Sequence, residues 1–108
     1  MQKESQKTKH VPYKYRILEL LDKLPYRDHK MAMSRIPIAI GVSKTTFSDW
    51  RYIKEDSSRM IPAEKLYLIA TFFGVEVKDM FNTPPTSIDY DQMRLEYEEE
   101  KKEKFNLK

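Results

Sequence analysis

The chain contains no cysteine, which excludes disulfides, thiolate metal sites and cysteine nucleophiles. Glycine is almost as scarce, with two among 108 residues. Combined with abundant Lys, Glu, Leu, Ile and Met, that scarcity favours helices over a strand-and-turn fold. No long hydrophobic run is present either. The longest apolar stretch, residues 36–42, is far too short to span a bilayer. The first ten residues have no apolar centre and do not read as a signal peptide. The expectation is a cytoplasmic protein with no membrane partner.

Recognisable catalytic chemistry is also missing. Ser43-Lys44-Thr45 lacks the glycine that a phosphate-binding loop needs directly before its lysine. His10 and His29 are isolated, so no metal is expected. No nucleophile, base and orienting acid converge in a known motif. The chain is therefore read as a non-enzyme that needs no cofactor.

The charge that is present is unevenly placed. Residues 1–82 carry 15 Lys and Arg against 10 Asp and Glu, while residues 83–108 carry 5 against 7. A mildly basic body with an acidic tail is compatible with nucleic acid binding. The length, 108 residues, allows one small domain with tails. Residues 1–11 are polar and basic and read as a flexible segment. Residues 12–82 read as the domain, and residues 83–108 as a linker and a charged helical tail.

Along the domain, Pro12 suits a first helical position. Tyr13, Ile17, Leu20, Leu21 and Leu24 then recur at helical spacing until Pro25 stops the pattern. Residues 26–32 read as a connector. Ile36, Ala39 and Ile40 share a helical face, and Gly41 can take the left-handed conformation that ends a helix. Ser43 is a good N-cap for the next helix, which turns Phe47 and Trp50 inward and runs to about Tyr52. Residues 54–60 form a polar loop. Pro62 opens a helix with Leu66, Ile69, Ala70 and Phe73 on one side, closed by Gly74. Val77, Met80 and Phe81 suggest one more helical turn before the Pro84-Pro85 break.

The informative stretch is residues 33–52. Two short helices crossing steeply need apolar side chains where they meet, and Ile36 and Ile40 face Phe47 and Trp50 in this pattern. Val42 plugs the corner, and Gly41 lets the chain reverse.

The run Ile40-Gly41-Val42-Ser43-Lys44-Thr45-Thr46-Phe47-Ser48-Asp49-Trp50 resembles the turn and reading helix of the lambda-repressor-like, or Cro-type, helix-turn-helix family. Pro62 to Val75 and Val77 to Phe81 resemble that family's fourth and fifth helices. The resemblance covers residues 13–82 and matches five elements in order. It implies an all-α, five-helix DNA-binding domain and a transcriptional regulator, such as a repressor, of the kind found in bacteria and phages. Its partner would be double-stranded DNA.

With Phe47 and Trp50 inward, Lys44, Thr45, Ser48 and Asp49 face outward toward base edges. Lys44 would donate to guanine O6 or N7, and Thr45 would bond a base or touch a thymine methyl. Asp49 either accepts from cytosine N4 or pairs with a neighbouring cation. Phosphate contacts are expected from Ser34, Arg35, Ser43, Arg51, Tyr52, Lys54 and Arg59, which fix register without reading sequence.

Three departures from the family stand out. Met33 occupies the usual glutamine position and cannot bond a phosphate. Pro37 replaces the small residue packed between the helices, and a mid-helix proline costs about 3 kcal/mol. That cost predicts a second helix that starts late, with Ser34 as its N-cap. After Trp50, Arg51-Tyr52-Ile53-Lys54 replaces the common acid-Asn-Gly ending.

The tail, residues 87–105, reads as a helix. Glu98 with Lys102 and Glu100 with Lys104 are spaced to pair, each pair worth about 0.2–0.5 kcal/mol. Tyr90, Met93 and Tyr97 make a short apolar stripe, either a homodimer or partner contact or a solvated extension. The alternative to a DNA-binding regulator is a protein-interaction module, an antitoxin or adaptor that works through this tail.

Overall fold

The computed structural model describes residues 11–106. The flexible segment expected at residues 1–11 lies, apart from Val11, outside the described residues. The chain is all-α. Its helices are α1 (Ile17–Asp22), α2 (Tyr26–Ile40), α3 (Lys44–Arg51), α4 (Ala63–Phe73) and α5 (Tyr90–Asn106), with a 3-10 turn at Val77–Met80. Among the described residues there is no strand, only two isolated antiparallel bridges.

The first helix is shorter than its periodicity predicts, and Pro12 does not open it. Residues 12–15 are non-helical and pair with two distant segments instead. Lys14 N–H donates to the Ile53 carbonyl at 2.7 Å, and Glu55 N–H donates to Pro12 at 2.8 Å. On the other side Arg16 N–H reaches the Met80 carbonyl at 2.7 Å, and Asn82 N–H reaches Lys14 at 3.0 Å. Tyr13 thus bridges Lys54, and Tyr15 bridges Phe81. The apolar positions 13, 15 and 17 satisfy a two-residue alternation as well as 13, 17 and 20 satisfy a helical one. Distant backbone partners break the tie.

The second helix overturns two expectations. Residues 26–32 are not a connector, and the helix does not begin at Ser34. Helix α2 starts at Tyr26 and runs 15 residues through Pro37. Pro25 ends the preceding segment and simultaneously starts this one, its carbonyl accepting the His29 N–H at 2.8 Å. Asp28 lies in the first turn, where negative charge is favoured by the helix dipole. Ala32, Ile36 and Ile40, four residues apart, are all buried, so the helical face continues backward past Ser34. Pro37 forfeits one helical hydrogen bond, but its ring is fully buried, and its carbonyl accepts the Val42 N–H at 2.9 Å beyond the helix end. The helix also docks on α1, with His29 Nδ1 3.0 Å from the Leu21 carbonyl oxygen.

Both glycines end helices in the left-handed conformation, Gly41 at φ 77° and Gly74 at φ 71°. In each case the glycine N–H and the next N–H return to carbonyls of the last helical turn, which satisfies groups otherwise orphaned at the C-terminus. Lys65 of α4 adds a further bond, its Nζ donating to the Ile40 carbonyl at 2.6 Å. This cation sits at the negative end of the α2 dipole. It also ties α4 to the turn between α2 and α3.

One apolar core joins α1 to α4 and the 3-10 turn: Tyr15, Ile17, Leu21, Ile36, Phe47, Trp50, Ile69 and Met80 belong to it. The fifth element expected of the domain is the 3-10 turn at Val77–Met80, with Met80 buried beneath it and Phe81 already extended. By contrast, residues 82–104 are exposed throughout, and α5 stands clear of the core as a charged tail.

Candidate nucleic-acid interface

Helix α3 owes its position to local chemistry at both ends. Ser43, in an extended conformation, accepts the Thr46 N–H on its Oγ at 3.0 Å. The Ser43 hydroxyl then donates to Thr46 Oγ1 at 3.0 Å. Ser43, expected at a phosphate, therefore spends its hydroxyl on capping. Phe47 and Trp50 are buried, and Val42 is half-buried against the same core at the corner. The inward residues expected from the sequence, Ile36, Ile40, Phe47 and Trp50, are all in this core.

The opposite side of α3 faces solvent. At about 100° per residue, Lys44, Ser48, Tyr52, Thr45 and Asp49 fall within an arc of roughly 140°. Lys44, Thr45, Asp49 and Tyr52 are exposed, and Ser48 is half-buried. All four expected base-contacting residues thus share one face.

The flanking cations differ in setting. Arg35 and Arg59 are exposed, as is Ser34 in the middle of α2. Lys54 Nζ lies 5.0 Å from the Tyr13 ring centroid and 3.5 Å from the Val11 carbonyl oxygen. The loop that carries Arg59 is held by Lys14, whose Nζ donates to the Ser57 and Arg59 carbonyls at 2.7 and 3.1 Å. Sequence reading did not single out Lys14, because its partners lie more than 40 residues away.

Arg51 is the unusual one. Its guanidinium sits 5.6 Å from the Phe47 ring centroid and 5.5 Å from that of Tyr52. Nη1 donates to the Met33 sulfur at 3.3 Å, a weak acceptor. The Nε is buried and meets no acceptor among the described residues.

No family model, curated protein or solved structure matches this chain.

Between α2 and α3 lies an open groove of about 510 Å³. Helix α2 lines it with His29, Lys30, Met33 and Ser34, and α3 with Lys44, Thr45, Phe47, Ser48 and Arg51. Cations and hydroxyls line it together with apolar Met33 and Phe47, and no carboxylate is among the lining groups. Lys30 escaped the sequence reading because it falls in the segment taken for a connector, while His29 was weighed only as an isolated metal ligand and Met33 only as a residue that cannot bond a phosphate. The backward continuation from Ile40 and Ile36 to Ala32, at four-residue steps, was the signal that locates them.

Among the described residues there is no group of metal-binding side chains. No helix there is long and apolar enough to cross a membrane.

Proposed function

We propose that this chain is a sequence-specific DNA-binding transcriptional regulator of the lambda-repressor-like helix-turn-helix type, acting as a repressor by occupying its operator. The observation that carries the reading is the presentation of α3. Its buried face is locked by Phe47 and Trp50, while Lys44, Thr45, Ser48 and Asp49 are displayed together on the other. A helix of this length, held by its back, is what entry into a major groove requires.

In this reading Lys44 donates to guanine, and Thr45 and Ser48 serve bases that offer a donor, an acceptor or a methyl group. Asp49 accepts from cytosine N4. Ser34, Arg35, Tyr52, Lys54 and Arg59 hold the backbone on either side and set the register. A palindromic operator would place two copies about 34 Å apart, and the exposed α5 is the element assigned to pairing them.

One observation favours a second reading. Tyr90, Met93, Leu95 and Tyr97 on α5 are all more than half exposed, which suits an interaction module that captures a protein partner. An anisotropy titration against random-sequence duplex at two salt concentrations separates the two. A DNA-binding protein loses affinity steeply with salt as counterions are released. Absence of binding at low salt would defeat the DNA reading and leave the interaction module.

A further inference from the structure

The methionines of this chain sit in different settings. Met80 is fully buried in the core, out of reach of any solute, whereas Met31, Met60 and Met93 are exposed. Met33 belongs to neither group. It is half-buried against the core, yet it also lines the open groove between α2 and α3. Its sulfur receives Arg51 Nη1 at 3.3 Å, and among the described residues no other methionine accepts a charged donor.

That bond is an unequal one. A thioether is a weak acceptor. A half-buried guanidinium requires an oxygen, because an ionised donor withdrawn from water is costly unless paired. Arg51 otherwise rests on the Phe47 and Tyr52 rings, and its Nε is buried with no acceptor among the described residues. No carboxylate lines the groove to take it instead. One oxygen added to the Met33 sulfur turns this weak acceptor into a strong one. A methionine sulfoxide ordinarily disrupts an apolar setting, because it is polar. At Met33 the groove has room for the oxygen, and a cation already lies beside it.

We infer that Met33 is a redox-sensitive modification site whose sulfoxide captures the Arg51 guanidinium and lowers affinity for DNA. The control of affinity rests on the DNA-binding reading; the capture of Arg51 does not. The oxidant is a peroxide, such as hydrogen peroxide. A sulfur lone pair attacks one peroxide oxygen, and the O–O bond breaks. Sulfur gives up two electrons, and the displaced hydroxide leaves as water with the proton of the transferred oxygen. Methionine sulfoxide reductases restore the thioether, so the change is reversible.

Two effects then oppose DNA. The sulfoxide oxygen ties Nη1 to the α2 wall, which withdraws a donor from the surface shared with Lys44 and Ser48. It also adds the negative end of a dipole to that surface. A glutamine amide would offset this with its own N–H, but a sulfoxide has no N–H to offer.

The test uses the full chain as wild type and as Met33→Leu, a swap of similar volume that removes the sulfur. Both are treated with hydrogen peroxide in native buffer, and peptide mass spectrometry locates each added oxygen. Met33 should gain one while Met80 stays reduced. In 15N-labelled wild type without DNA, the Arg51 Nε–H resonance should move on oxidation and return after reductase treatment. By anisotropy on a random-sequence duplex, oxidised wild type should lose about tenfold in affinity, roughly the worth of one charge-assisted hydrogen bond. Met33→Leu, with its exposed methionines oxidised alike, should keep the affinity it had before treatment.

Oxygen on Met31, Met60 and Met93 with none on Met33 would overturn the site. So would an Arg51 resonance that ignores oxidation. If Met33→Leu loses as much affinity as wild type, the loss belongs to another methionine; the control through Met33 is then wrong and the DNA reading stands. If untreated wild type does not bind at low salt, the DNA reading falls and takes the control of affinity with it.

Discussion

The Tyr15 hydroxyl accepts the Ile61 backbone N–H at 3.0 Å inside the core. This one bond pins the non-helical segment before α1 to the loop that leads into α4. Tyr15 is itself almost wholly buried, and its ring packs 5.2 Å from that of Phe81. Tyr15→Phe should preserve that packing while leaving the Ile61 amide without an acceptor, at a cost of about 1–3 kcal/mol. Urea unfolding should show a lower midpoint with an unchanged slope. An unaltered midpoint would mean that the amide finds another partner.

The two helix-ending glycines test backbone strain free of crowding. A methyl group added at Gly74 meets nothing within 4 Å, and at Gly41 the nearest atom is Lys65 Nζ at 3.7 Å. Alanine at either position should therefore cost about 1–2 kcal/mol through the left-handed conformation alone. Asparagine, which tolerates that conformation, should cost less. Thermal unfolding of the four variants checks the order.

Lys44 and Lys54 separate base reading from backbone holding. Lys44→Ala should cost about 1–3 kcal/mol on a preferred duplex and flatten the preference among sequences. Lys54→Ala should weaken every duplex by a similar factor. Selection of duplexes from a random pool, followed by titration of both variants, gives the comparison. Equal loss on all sequences for both would remove Lys44 from the base readers.

Helix α5 should be the least protected element. An unpacked helix of 17 residues is marginal in water, because nucleation is costly and no tertiary contact repays it. Its amides should exchange near the unprotected rate while those around Phe47 and Ile69 exchange only through global opening. Protection of α5 that grows with protein concentration would instead identify it as the homodimer contact.

Arg16 and Glu19 give a small acid-side dependence. The guanidinium binds both carboxylate oxygens, with Nε–Oε1 at 3.1 Å and Nη2–Oε2 at 3.0 Å. That bond holds the Glu19 carboxyl below its ordinary value of 4.5 and raises the pKa of Arg16. A depressed folded-state pKa contributes stability that is present above the ordinary value and is lost as pH falls through the folded one. Glu19→Gln should flatten the stability profile below about pH 4.5 and leave the neutral region almost unchanged, both side chains being solvent-accessible. Denaturation midpoints at pH 3, 4 and 7 suffice.

The elements legible from sequence are those whose physics is local. Ser43 caps a helix through an amide three residues away, and Gly41 and Gly74 end helices through bonds within one turn. The inward spacing of Phe47 and Trp50 follows from helical pitch alone. The face of Lys44, Thr45, Ser48 and Asp49 follows from it by subtraction. Pro37 misled the reading of α2, because its general cost was weighed without the burial of its ring and the apolar register extending back to Ala32.

Residue order and local chemistry suffice for an all-α chain, the N-cap and turn before α3, and a charged tail beyond the Pro84-Pro85 break. Contacts made on folding set the pairing of residues 12–15 with two distant segments, the start of α2 at Tyr26, and the placement of Lys30 and Arg51 along one groove. The reason is physical. Capping and periodicity act over one or two turns, whereas Tyr15, Lys14 and Lys65 choose partners 25 to 46 residues away. Such choices are settled by how the whole core closes, not by any neighbouring residue.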